Sequence, residues 1–118
     1  MFRGRVSYAL HAALELITAV ALLAIPFAIG LSVNATITAG VLGVALFGLA
    51  VSATDSDGRG TLPISAHATY DTAVALVLVV AAVVFGLAGE IPALALLLAA
   101  GVAQLTLSGF TRYAPSRA

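Results

Sequence analysis

Apolar residues fall into four runs, at residues 6–30, 37–53, 66–87 and 91–110, separated by short stretches of Ser, Thr, Asn, Gly, Pro and charged residues. A helix crosses a hydrocarbon core of about 30 Å with about 20 predominantly apolar residues, so each run predicts one spanning helix. The breaks carry helix-end chemistry. Ser32, Asn34 and Thr36 offer capping oxygens for the second span, Ser65 follows Pro63 as a cap for the third, and Pro92 sits in the first turn of the fourth. Pro26 is placed to kink or end the first helix. The expected fold is all-α: a four-transmembrane-helix bundle in one integral membrane domain, residues 1–118.

Composition agrees with that pattern and narrows the function. The chain is 62% hydrophobic and 8% charged, far from the roughly 25% charged residues of a soluble domain. Net charge is zero and no Lys or Arg run occurs, which argues against nucleic acid as a partner. Without Cys there is no disulfide, thiol nucleophile, iron–sulfur cluster or thiolate zinc site. The expected partners are the lipid bilayer and either a second copy of the chain or another membrane subunit. Arg3, Arg5, Arg59, Arg112 and Arg117 lie in the N-terminal tail, the middle loop and the C-terminal tail, whereas the turns at 31–36 and 88–90 contain no Arg or Lys. The positive-inside rule then places both termini on the cytoplasmic side of the cell membrane. Phe2, Tyr8, Phe110 and Tyr113 suit an aromatic belt on that face. A rival reading takes residues 1–35 as a cleaved leader ending at Val33-Asn34-Ala35, but the long apolar run and Glu15 within it oppose this.

The two halves match. A shift of 56 positions superposes His11 on His67, Glu15 on Asp71, Leu22 on Leu78, Gly30 on Gly86 and Leu31 on Leu87, and sets Glu90 opposite Asn34. A shift that spans two helices predicts two parallel two-helix repeats, at about 6–53 and 62–110, entering from the same face.

Residues 19–31, with Ile25-Pro26-Phe27-Ala28-Ile29-Gly30, followed by Asn34, Gly40 and Gly43, resemble the SPW repeat of small bacterial membrane proteins. Ile25 stands where that family has Ser and Phe27 where it has Trp, and the second half has Ala81-Ala82-Val83 with no Pro, so the resemblance covers about the first half. It implies a membrane-embedded two-helix unit and no activity. Glu15 in the first of four helices is also similar to the small multidrug transporters, from which the chain departs in having no Trp and a longer, charged middle loop.

Against this apolar background His11, Glu15, His67 and Asp71 stand out. Residues four apart share a helix face, so His11 stacks with Glu15 and His67 with Asp71, and Tyr8 and Thr18 extend the first stripe. A charge at the centre of a spanning helix costs about 2.5–3.5 kcal/mol on insertion scales, so such groups turn inward and pair. The two motifs are expected to meet as a cluster in the cytoplasmic leaflet, with Arg59 and Arg112 near the carboxylates. One reading is a hydrogen-bonded latch in a protein of structural or accessory type. The alternative is a proton- or cation-coupled small transporter, or a membrane protein holding a divalent metal on the same four residues. No cofactor is called for; two histidines on facing helices are the minimum for a b-type haem and no more. Nothing suggests an enzyme: there is no nucleophile beside a base, no phosphate-cradling glycine loop and no zinc-protease spacing.

Other residues read as packing. Ala35, Ala39 and Gly43, and Ala95, Ala99 and Ala103, form small-residue stripes for close helix contact, and Gln104 with Thr106 and Ser108 forms an interhelical donor set. Glu90 reads as a solvated carboxylate at a helix start, and Asp55 and Asp57 as part of a linker.

Overall fold

The computed structural model describes residues 7–52 and 64–111, and these form four helices: α1 Tyr8–Ile29, α2 Val33–Ser52, α3 Ile64–Leu87 and α4 Ile91–Phe110. All four are long and apolar enough to cross a membrane. At 1.5 Å per residue, 20 to 24 residues span about 30–36 Å, which matches the hydrocarbon core. The described part is all-α, as the four apolar runs require.

Short turns fold the helices into two hairpins. Ser7 caps α1 by accepting from Leu10 N–H, and Gly30 ends it in the left-handed region at φ 69°, with the Gly30 and Leu31 N–H groups both returning to Pro26 C=O. Pro26 therefore lies in the last turn, where the helix runs one residue short of the glycine before stopping. Ser32 accepts from Ala35 N–H and so caps α2, which begins at Val33 and takes in Asn34 and Thr36. In the second hairpin Gly89, at φ 84°, makes the turn and Glu90 is the N-cap residue of α4, with Pro92 in its first turn. Ser65 does not cap α3: the helix already includes Ile64, which puts Ser65 inside the first turn.

Within each hairpin the helices pack along their length, and α2 against α3 and α1 against α4 close the ring. The apolar core contains Leu22, Leu46, Leu78 and Leu97 with Ala19, Ala39, Ala82 and Ala100. Large apolar side chains also point outward around the bundle, among them Ile17, Phe27, Val41, Val44, Val80, Val84 and Ile91. Small residues inside and branched ones outside is the pattern of helices that pack closely together and face lipid.

The hairpins bury corresponding positions, though not in one register. Between α1 and α3 the shift is 56, as Leu22 and Leu78 show. Between α2 and α4 it is 58: Gly43 lies against the Leu22 Cβ and Leu23, and Gly101 against the Leu78 Cβ and Val79. The difference arises at the end of α3, which has 24 residues against 22 in α1. Gly86 and Leu87 are accordingly helical and do not correspond to Gly30 and Leu31 in the first turn, and Glu90 stands opposite Ser32 instead of Asn34.

Of the two small-residue stripes, Ala35, Ala39 and Gly43 are buried as expected. Ala95, Ala99 and Ala103 are exposed, because α4 turns Ala93, Leu97, Ala100, Gly101 and Gln104 inward. Two residues are about 200° on a helix, so a face holding Leu97 and Gly101 sends Ala99 to the outside.

Candidate functional site

The first turns of α1 and α3 and the last turns of α2 and α4 lie at one end of the bundle. His11 is the fourth residue of α1 and Asp71 the eighth of α3, so the polar side chains lie about 5–10 Å below the helix starts. Helical spacing supplies half of the arrangement: the Nε2 atoms of His11 and His67 are 3.3 and 3.2 Å from the Glu15 and Asp71 carboxylates four residues on. Bundle packing supplies the other half. His11 Nε2 lies 2.7 Å from Asp71 Oδ2, and His67 Nε2 lies 3.2 Å from Glu15 Oε1.

The result is a closed ring in which imidazole and carboxylate alternate, with each histidine between the acid of its own helix and the acid of the other hairpin. All four side chains are 0% exposed. Desolvation on that scale costs several kcal/mol per ion unless hydrogen bonds and opposite charge compensate, so the ring is stable only as a set. Each of the four offers a ligand atom, and these atoms lie within 4.8 Å of one another.

Gln104 of α4 and Thr111, the C-cap residue that follows it, support the ring. Gln104 Nε2 donates to Glu15 Oε2 at 2.5 Å, which fixes the carboxylate and leaves Oε1 turned to His67. Thr111 Oγ1 is 2.7 Å from His11 Nδ1, and the same hydroxyl donates to Leu107 C=O at 2.6 Å. Thr111 thereby ties the Nδ1 side of His11 to the end of α4. Tyr8 covers the ring from the helix-start side, stacked on His11 at 6.4 Å between ring centroids and edge-on to His67 at 5.3 Å.

The four residues singled out in the sequence are thus all brought together, and Gln104 is the interhelical donor expected of it. Thr18 and Thr106 do not join. Thr18 donates back to Leu14 C=O at 3.1 Å, and Thr106 is exposed. Ser108 Oγ is buried and has no hydrogen-bond partner among the described residues. Arg59, Arg112, Phe2 and Tyr113, for which roles were expected, lie outside the described residues. Thr111 was missed because it follows the last apolar run; its spacing of seven from Gln104, two helical turns on the same face, was the available signal.

No family model, no curated protein and no solved structure matches the chain.

Proposed function

We propose that the chain is a small multi-pass membrane protein of structural or accessory type, in which the His11–Glu15–His67–Asp71 ring fastens two helix hairpins together at one end of the bundle. The carrying observation is that the ring's cross contacts, His11 to Asp71 and His67 to Glu15, run from one hairpin to the other. Contact within each hairpin is much more extensive than contact between the hairpins, so a polar fastening at that joint has a large share of the work. The two hairpins are read as parallel repeats of one unit, with a register of 56 in the first helix and 58 in the second.

The double variant Glu15→Gln, Asp71→Asn keeps size and polarity while removing both charges. With interhelical polar contacts in membranes averaging about 0.6 kcal/mol and four of them altered, unfolding of the detergent-solubilised protein is expected to become easier by about 2 kcal/mol. The measurement is made in EDTA. Unchanged stability there would remove the fastening role.

The ring's end of the bundle is assigned to the cytoplasmic side of the cell membrane, because all five arginines belong to the tails and the middle loop that adjoin this end. The chain has no Cys, so single cysteines report cleanly. A membrane-impermeant maleimide added to intact cells is expected to label Asn34→Cys and to leave Ser56→Cys unlabelled until the cells are opened. The opposite pattern would invert the topology.

A further inference from the structure

We infer that the ring is a binding site for one divalent transition-metal ion of the zinc class, held by the Nε2 atoms of His11 and His67 and by one oxygen each from Glu15 and Asp71. The inference rests on the ring being the joint between the hairpins, and gives that joint a ligand.

Three observations converge on it. The first is the orientation of His11. Its Nε2 faces Asp71 Oδ2 at 2.7 Å and Glu15 Oε2 at 3.3 Å, while its Nδ1 lies 2.7 Å from Thr111 Oγ1. A metal-ligating histidine nearly always has its other ring nitrogen on an oxygen partner, and Thr111 stands in that place here.

The second is the shape of the donor set. Zinc binds imidazole nitrogen at about 2.0–2.1 Å and carboxylate oxygen at about 2.0–2.2 Å, so the edges of a tetrahedral site are about 3.3–3.5 Å long. The nitrogen–oxygen edges that end on Asp71 Oδ2 and Glu15 Oε1 are 2.7, 3.2 and 3.2 Å, two of them within about 0.1 Å of that range. The third is the support of Glu15. Gln104 holds Oε2, which leaves Oε1 as a single ligand oxygen and the carboxylate fixed in orientation.

The chemistry selects the ion. Two imidazoles favour zinc, copper, nickel, cobalt or iron over magnesium and calcium, which prefer all-oxygen sites of six or more ligands. Two carboxylates balance a divalent charge, which suits a site sealed from water on every side chain.

The test uses the full chain purified in detergent, stripped with EDTA, dialysed and titrated with Zn²⁺ and with Co²⁺. The expected result is one ion retained per chain, a higher melting temperature with Zn²⁺, and the intense visible bands of four-coordinate cobalt, with neither Mg²⁺ nor Ca²⁺ competing. Thr111→Val, which removes the hydroxyl beside Nδ1 and keeps the side chain's shape, is expected to weaken Zn²⁺ binding 10- to 100-fold while preserving one ion per chain. No stoichiometric ion on the wild-type chain, the weak spectrum of six-coordinate cobalt, or binding unaffected by Thr111→Val and by His11→Gln with His67→Gln would each overturn the site. The fastening role is judged separately: if Glu15→Gln, Asp71→Asn loses stability in EDTA and the wild type binds no metal, the joint stands and the metal falls.

Discussion

Asp71→Leu is expected to cost about 3–5 kcal/mol of stability, the magnitude found when one partner of a buried charged pair is removed and the other is left uncompensated. The size of the effect follows from the position of one oxygen. Asp71 Oδ2 contacts both histidines, at 2.7 Å to His11 and 3.2 Å to His67, so its removal takes one side from each imidazole at once. Glu15 cannot replace it, because Gln104 holds its Oε2 and its Oε1 already faces His67. Leucine also adds branched carbon at a fully buried point beside two rings, where overpacking adds to the loss. Denaturant-driven unfolding in mixed micelles measures it, with Asp71→Asn as the comparison: the amide retains a polar contact and is expected to cost about 1 kcal/mol or less. Equal losses for Leu and Asn would show that the ring carries no special burden.

Gly101→Leu is expected to be comparably damaging for a steric reason. A Cβ at Gly101 would lie 2.8 Å from Val79 Cγ2, 3.2 Å from Leu78 Cβ and 3.2 Å from the Val79 backbone nitrogen. Valine in a helix is confined largely to one rotamer and a backbone atom cannot step aside, so α3 and α4 must separate. Overpacking a tight core costs about 1–3 kcal/mol and sometimes more, and a whole leucine at this contact belongs at or above the upper end. Gly109→Leu is the control, since a Cβ there meets nothing within 4 Å. The same unfolding assay should show a loss of about 3 kcal/mol for the first and within about 0.5 kcal/mol for the second. Should the two behave alike, the close approach of α3 and α4 at Gly101 is not the contact described.

Much of this architecture was legible in the chain because membrane helices announce themselves by length and apolarity, which packing does not alter. The pairing of His11 with Glu15 and of His67 with Asp71 was legible for a similar reason: an interval of four is a property of the helix alone. Their convergence followed from the cost of charge in lipid. Rotation of a helix about its axis is harder to read when nearly every residue is apolar, and α4 shows it: Ala95, Ala99 and Ala103 make as good a stripe as the face actually buried, and Gln104 decides between them. The change of register from 56 to 58 was hidden because two glycines, Gly30 and Gly86, matched in letter while one ends a helix and the other continues it. Thr111 was out of view because its contact with His11 Nδ1 depends on how the chain leaves α4, which only coordinates supply.

Leu46 and Gln104 occupy the same place in the two hairpins, 58 positions apart, yet one is a hydrocarbon and the other an amide. Two separate identical hairpins would have to carry the same residue at both places, and so would grip both acids or neither. Joining them in one polypeptide lifts that obligation. Glu15 is clamped by Gln104, whereas the corresponding place in the first hairpin is filled by Leu46, so the two acids sit in unequal surroundings.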